Sequence, residues 1–305
     1  MPMAVPEPTG GVLYLVGTPI GNLEDLSPRA RRVLGAVDLV ACEDTRRSGL
    51  MLHGLGLRNR LLSFHEHNRL ARQPQLLQAL AAGQSIALIS DAGLPGVADP
   101  GEELVAAARQ AGHDVVCVPG PCALTTALVS SGLPSGRFCF EGFLPPRSAP
   151  RRQRLQALAA EQRTMVLYEA PHRLVALLED LLAVLGDRPL MVARELTKRH
   201  EQQVGPTVAA ALAHFLATPP LGECTLVLGG ASPLAGPEPW DGTLLRAELE
   251  QLVAAGHSAK EASRLLAQRT GHPRRDLYAL LHQAAEAADA AGEAGEAGGA
   301  GEGTG

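Results

Sequence analysis

Along most of the chain, short apolar runs alternate with segments of helical spacing. Val12–Val16 is a continuous apolar run ended by Gly17, and Val37–Cys42, Leu61–Phe64, Ser85–Ser90 and Val115–Val118 repeat the form. Helical patterns lie between them. Ser27-Pro28 places a capping hydroxyl before a proline and opens a helix to about Leu34. Leu70–Ala82 is stopped by Gly83, and Glu102–Ala111 is closed by Gly112. Unbroken apolar strands separated by helices predict a parallel sheet buried on both faces. The alternation then resumes, with helices over Arg151–Ala160, Arg173–Leu185 and Val208–Leu216. Strands are predicted at Thr164–Tyr168, Leu190–Arg194 and Thr225–Leu228, which makes a second α/β unit. Three helical segments follow, at Leu244–Ala254, Ser258–Thr270 and Arg274–Gln283.

Proline and glycine divide the pattern. The stretch Gly142–Pro150, GFLPPRSAP, suits neither a helix nor a strand and reads as a linker. Ser232–Trp240 is a second proline-rich stretch. The resulting division is a flexible start over 1–10, an α/β domain over 11–141, a linker over 142–150 and a second α/β domain over 151–231. A linker over 232–242, a helix-turn-helix-like appendix over 243–283 and a tail over 284–305 complete it. The tail holds Ala, Gly and acid but nothing large to bury, so disorder is expected there.

Composition narrows the function. Hydrophobic residues make up 46% of the 305, enough for a real core. With 27 basic residues against 32 acidic, the net charge of −5 excludes nucleic-acid binding by bulk positive charge. Any RNA contact must use a local patch. Aromatics at 3% also argue against a base-stacking platform. The five cysteines, Cys42, Cys117, Cys122, Cys139 and Cys224, stand singly and read as small buried side chains in a reducing compartment. The opening residues lack a signal-peptide pattern, and no apolar stretch reaches the roughly 18–20 residues of a membrane span. A soluble cytoplasmic protein with no membrane partner is expected.

In an open parallel sheet, ligands bind beyond the carboxyl ends of the strands, so the loops there carry the chemistry. Three stand out: GTPIGN at Gly17–Asn22, SDAGLPGVADPG at Ser90–Gly101 and PGPCALTTAL at Pro119–Leu128. The first is neither GxGxxG nor a P-loop. All three expose backbone donors and acceptors with little side-chain bulk, which suits a ligand carrying amino, carboxylate and hydroxyl groups. On one sheet edge they predict one cleft.

These loops occur in order with CEDTR (Cys42–Arg46), FHEHN (Phe64–Asn68), FEGFLP (Phe140–Pro145), YEAPHR (Tyr168–Arg173), ARELTK (Ala193–Lys198) and Gly222-Glu223. The set resembles the ribosomal RNA small subunit methyltransferase I family of the tetrapyrrole methylase-like superfamily, from about Val12 to Gly229. GTPIGN and the SDAG loop alone suggest only the superfamily; EDTR, FHEHN and ARELTK are similar to the rRNA branch. The resemblance implies two α/β domains of the class III methyltransferase type with a cofactor cleft between them, plus the small C-terminal helical appendix. It implies an S-adenosylmethionine-dependent enzyme, usually a homodimer, that methylates the ribose 2′-oxygen of a cytidine in 16S rRNA of the small ribosomal subunit. Cofactor contacts are implied for Pro19, Gly21, Asp91, Ala92, Gly93, Leu94, Pro95, Val97, Ala98, Asp99, Cys122, Ala123, Tyr168, Ala170 and Gly222. The alternative in the same cleft is a precorrin-type small-molecule methylase, and a non-enzymatic reading is an RNA-binding module that retains the cleft.

A neutral ribose hydroxyl is a poor nucleophile, so methyl transfer gains from in-line placement, a base, or cations that ease the oxyanion. The catalytic candidates are Asp44, Arg46, His65 and Lys198, with Glu43, Glu66, His67 and Glu195 also weighed. Asp44 either caps the following helix with Arg46 paired to it, or stands with Arg46 at the substrate mouth, where a guanidinium fork fits phosphate. If the strand continues through FHEHN, His65 and His67 share a face. That pair has no third ligand at metal-binding spacing, so no metal is expected. Lys198 is one of only two lysines, the other being Lys260. A desolvated lysine can take or stabilise a proton. For RNA contact the candidates are Arg147, Arg151, Arg152 and Arg154 beside the linker, and Lys260, Arg264, Arg269, Arg274 and Arg275 on the terminal helices.

Overall fold

The computed structural model describes residues 8–231 and 242–281. The expected proline-rich linker and the acidic tail lie outside them almost entirely, as does most of the flexible start. The chain forms two compact units, 1–231 and 232–305.

The first unit opens with a five-stranded sheet, β1 (Leu13–Val16), β2 (Leu39–Cys42), β3 (Leu61–Ser63), β4 (Ile86–Ile89) and β5 (Val115–Val118). Its order is β3-β2-β4-β1-β5 and every pairing is parallel. Side chains alternate between faces along a strand. Tyr14 and Val16 of β1 pack with α1 (Pro28–Ala36) and α2 (Thr45–Gly54), through Ala30, Val33, Leu34 and Leu52. Leu13 points the other way, to Leu76 and Leu80 of α3 (Arg69–Ala81) and Leu104 and Ala108 of α4 (Glu102–Gln110). The two-faced burial foreseen from the unbroken apolar strands is therefore present. Ser27 caps α1, its Oγ accepting from the Ala30 amide at 3.0 Å.

A second sheet follows in the same unit: β6 (Phe138–Phe143), β7 (Thr164–Glu169), β8 (Leu190–Arg194), β9 (Gln202–Val204) and β10 (Cys224–Leu228). Its order is β6-β7-β10-β8-β9, parallel only between β6 and β7. Neither β6 nor β9 is foreseen from the pattern. β6 covers the end of the first expected domain and the start of the expected linker, and its Gly142 sits at a register shift against β7. That glycine and the following prolines mask the strand in the sequence. On one face α6 (Ser148–Ala157), α7 (Pro171–Leu185) and α8 (Val208–Ala217) bury Met165, Leu167 and Leu226. On the other, α5 (Ala123–Ser130) buries Leu124, Ala127 and Leu128 against Val166 and Val227. α5 leaves the β5 loop of the first sheet and packs on the second, so one short helix ties the two sheets together.

The second unit holds α9 (Gly242–Ala254), α10 (Ala259–Thr270) and a helical segment at 274–281. Leu245, Leu249, Ala262, Leu266 and Leu277 form its own small core. No described helix is long and apolar enough to cross a membrane.

Candidate active site

Thr18 joins the loops after β1 and β4. It is fully buried, exchanges backbone hydrogen bonds with Gly93 at 2.8 and 3.1 Å, and donates its hydroxyl to the Ser90 and Gly93 carbonyls at 3.2 Å. The β5 loop comes equally close, because a Cβ on either Gly17 or Gly120 would meet the other's backbone at under 3 Å. Three neighbouring strand ends are thus fused into one rim.

Beside this rim lies a cavity of about 280 Å³. From the first sheet's loops it is lined by Ile20, Glu43, Arg47, the Asp91–Leu94 and Val97–Asp99 segments, Cys122 and Ala123. The second sheet contributes Phe143, Tyr168, Glu169, Glu195, Leu196, Lys198 and the Glu223–Thr225 strand entry. Tyr168 anchors the junction. Its hydroxyl accepts from the Leu124 amide at 3.1 Å, and its ring meets Phe140 edge-on at 5.0 Å.

Among the sequence-derived cofactor candidates, Asp91, Ala92, Gly93, Leu94, Val97, Ala98, Asp99, Cys122, Ala123 and Tyr168 line this cavity. Pro19, Gly21, Pro95, Ala170 and Gly222 do not. Ala170 is the N-cap of α7, and its amide donates to Glu169 Oε1 at 2.9 Å. Gly21 and Gly222 lie against the turn after β8. Of the catalytic candidates only Lys198 lines the cavity, its Nζ 2.9 Å from Glu195 Oε1.

Asp44 and Arg46 form a closed pair. Asp44 is the N-cap of α2, accepts from the Arg46 amide at 2.8 Å and holds Arg46 Nη2 at 2.9 Å. These bonds from Arg46 hold the Asp44 carboxyl down at about 2. The Arg46 side chain is nevertheless 88% exposed. The β3 strand stops at Ser63, so strand geometry does not place the two histidines together; a turn does, with ring centroids 5.9 Å apart. His65 Nε2 lies 3.1 Å from Asn68 Nδ2, while its Nδ1 is buried without a partner.

The cavity is strongly acidic. Glu43, Asp91, Asp99, Glu169, Glu195 and Glu223 line it, against Arg47 and Lys198. Arg47 reaches Asp91 Oδ2 at 3.1 Å. Burial, then the Glu43 charge, pushes Asp99 up to about 6. Burial and the nearby Asp91 also raise Glu43. Cys224 is pushed up to about 12, chiefly by burial, and is no ready thiolate. The carboxyl of Glu169 is fully buried beside Arg173 Nε at 3.0 Å, with Oε2 unpartnered. No metal-holding group of His, Cys, Asp or Glu occurs among the described residues.

Sequence reasoning passes over Ile20, Arg47, Phe143, Glu169, Leu196, Glu223, Cys224 and Thr225. Each lies within a quoted motif or no more than two residues from one, which is the signal that would have found it. Three of the four arginines beside the first linker are paired within the fold, and Arg147, the N-cap of α6, stays exposed. Arg151 is buried and bonded to Asp180 at 2.6 Å, Arg152 shares Asp180 at 2.5 Å, and Arg154 pairs with Glu141 at 2.5 Å.

Comparison with known proteins places these features in context. The model of the Tetrapyrrole (Corrin/Porphyrin) Methylases matches residues 12–213, and that of the RsmI C-terminal HTH domain matches residues 246–285. A ribosomal RNA small subunit methyltransferase I from Synechocystis is 52% identical over 88% of this chain and 97% of its own. One from Escherichia coli O157:H7 is 53% identical over 67% and 71%. Among solved structures, a uroporphyrin-III-C-methyltransferase from Thermus thermophilus aligns with TM-score 0.52 and 25% identity over 71% of this chain and 94% of that one. A cobalt precorrin-4 methyltransferase at 16% identity and TM-score 0.54 shares the fold over 72% and 95%.

Proposed function

Because the chain belongs to the tetrapyrrole methylase family, within its ribosomal RNA small subunit methyltransferase I group, we propose that it moves a methyl group from S-adenosylmethionine to the ribose 2′-oxygen of a cytidine in 16S rRNA. The observation that carries this reading is the single acidic cavity built by loops of both sheets. A sulfonium donor with an ammonium group fits a wall of carboxylates, and its carboxylate and hydroxyls fit the exposed backbone of the Asp91–Asp99 and Pro119–Ala123 loops. When bound, the donor supplies an already electrophilic methyl.

The chain's own residues then bind, orient and balance charge. Asp91, Asp99 and Glu43 offset positive charge. The backbone of Ala92–Leu94, Val97, Ala98, Cys122 and Ala123 offers hydrogen bonds with little side-chain bulk in the way. Lys198, paired with Glu195 at 2.9 Å, donates from Nζ to the ribose oxygen and lowers the cost of the charge that develops as the hydroxyl proton passes to solvent and the methyl moves from sulfur to oxygen. Asp44 fixes the guanidinium of Arg46, which meets a phosphate at the edge of the cavity with Arg47. His65 and His67, brought together by the turn after β3, are assigned to the ribose side of the substrate.

Phosphate binding also draws on basic side chains that are not part of the acidic cavity's lining. Lys260, Arg274, Arg275 and Tyr278 line a shallow groove of about 410 Å³ in the helical unit, with no carboxylate in its lining among the described residues. That groove suits an RNA backbone. A homodimer belongs to the same reading, supported by the exposed edge strand β5, where Cys117 is open, and by the exposed Val129.

The test is transfer from methyl-labelled S-adenosylmethionine to 30S subunits, with mass-spectrometric mapping of the RNA. Label on a cytidine ribose supports the reading. Label on a precorrin or uroporphyrinogen instead, with none on the subunits, replaces it with the small-molecule alternative. Cofactor affinity without turnover on either replaces it with a binding module.

A further inference from the structure

The turn after β8 has a backbone that ordinary residues avoid. Among the described residues three non-glycine residues have left-handed φ, and two of them, Glu195 at 52° and Thr197 at 65°, fall in this turn. Such conformations persist only where the surroundings over-determine them. Here two glycines from distant loops do so. The space a Cβ would need at Gly222 is filled by the Glu195 carboxylate. At Gly21 the same space is filled by Lys198 Cγ, with the Leu196 carbonyl and Thr197 Oγ1 each 2.9 Å away. Further bonds hold the turn from both sides. The Thr197 amide donates to Glu201 Oε2 at 2.8 Å, the Lys198 amide to the Glu195 carbonyl at 3.1 Å, and Arg194 Nη1 to the Leu221 carbonyl at 3.2 Å. The product of all these constraints is one ion pair, Lys198 Nζ to Glu195 Oε1 at 2.9 Å, in the cavity wall.

We infer that Gly21 and Gly222 act as spacers that seat this turn, and that Glu195 is the positioning residue that fixes the Lys198 ammonium toward the reacting oxygen. The inference rests on the reading above for the use of Lys198, and it departs from the resemblance, which implies cofactor contacts at both glycines. A free lysine side chain gives up rotamer freedom to hold one direction. Glu195 removes that freedom in advance, and a methyl group at Gly222 would push the carboxylate out of place.

The experiment is a double-mutant cycle of Glu195→Ala and Gly222→Ala, read by kcat on 30S subunits and by the Kd of S-adenosylmethionine. Each single variant lowers kcat about tenfold or more and leaves Kd within about threefold. The double variant is no slower than Glu195→Ala alone, because the methyl group added at position 222 then has no carboxylate left to displace. Gly222 has φ of 75°, so Gly222→Ala carries backbone strain, and circular dichroism monitors its folding. Glu195→Ala adds no Cβ and tests the proposal by itself. A second readout needs no activity. The chain has only two lysines, so Lys260 serves as internal reference for acetic anhydride labelling measured by mass spectrometry. Glu195→Ala and Gly222→Ala change the Lys198 to Lys260 labelling ratio at least threefold. An unchanged ratio, multiplying rate losses, or a Gly222→Ala variant that loses cofactor affinity more than tenfold in the Glu195→Ala background would overturn the inference. If the ratio changes while wild-type protein methylates no ribosomal subunit, the rRNA reading fails and the assignment of the turn stands.

Discussion

The Asp99 carboxyl lies in the cavity wall, where burial and then the neighbouring Glu43 charge push it up to about 6 from the ordinary value of 3.8. Folding therefore favours its protonated form. The cost appears as pH rises from about 4 to about 6 and persists above. Asp99→Asn removes that cost, so its thermal midpoint exceeds the wild-type value at pH 7.5 and equals it at pH 4. Binding a cationic donor reverses the advantage, because the ionised carboxylate is the useful form. Calorimetric affinity for S-adenosylmethionine falls as pH drops through about 6 in the wild type, and Asp99→Asn is weaker at pH 7.5 with that step gone. A flat wild-type profile together with full affinity in the variant would show that Asp99 does not face positive charge. Asp44 gives the opposite lesson. The pattern of CEDTR left its capping and substrate roles open, and the structure shows the cap and the Arg46 pair together. Which of several carboxylates is desolvated depends on chain segments far apart, so no local pattern reveals it.

Elements were legible where apolar runs had clean ends. β5, between Gly112 and Gly120, and β8, which runs into the ARELTK motif, fall where the pattern puts them. β6 is hidden in the sequence, because its run FCFEGF is interrupted by Gly142 and leads into the prolines of the expected linker, and pairing with β7 supplies what propensity does not. The arginines that follow were misread for a related reason. A basic run in sequence is taken for a solvated or RNA-facing surface, yet Arg151 and Arg152 find their partner Asp180 on α7, about 30 residues away. Arg151 and Asp180 are 4% and 3% exposed, and Ser148 and Arg152 also bond that one carboxylate. This cluster clasps α6 to α7. Removing one partner of a buried ion pair leaves the other charge uncompensated, at a cost of roughly 3–5 kcal/mol. Asp180→Ala is therefore expected to lose about that much stability in urea unfolding. Arg152→Ala, whose side chain is 52% exposed, loses under about 1 kcal/mol. Equal losses in the two variants would mean the buried arm contributes no more than the exposed one.

For the molecule as a whole, the sign of charge is divided by place. A net charge of −5 and a cavity dominated by carboxylates favour a small cationic donor and oppose an RNA backbone. Arg151, Arg152 and Arg154 of the first basic run are paired with Asp180 and Glu141, whereas Lys260, Arg274 and Arg275 line a groove of the helical unit with no carboxylate in its lining among the described residues, Arg275 lying 3.8 Å from the adjoining Asp276. On the proposed reading, long-range attraction for rRNA belongs to the helical unit and methyl transfer to the α/β unit. Each phosphate contact with single-stranded RNA contributes about 0.7 to the slope of log affinity against log salt. The triple variant Lys260→Ala, Arg274→Ala, Arg275→Ala should therefore bind 30S subunits with a slope shallower by roughly 2, while its Kd for S-adenosylmethionine stays at the wild-type value. Loss of subunit affinity with an unchanged slope would assign the groove to protein contacts instead. An unchanged affinity would return the phosphate contacts to Arg46 and Arg47 at the cavity edge, where charge reversal at Arg46 alone would then have to abolish binding.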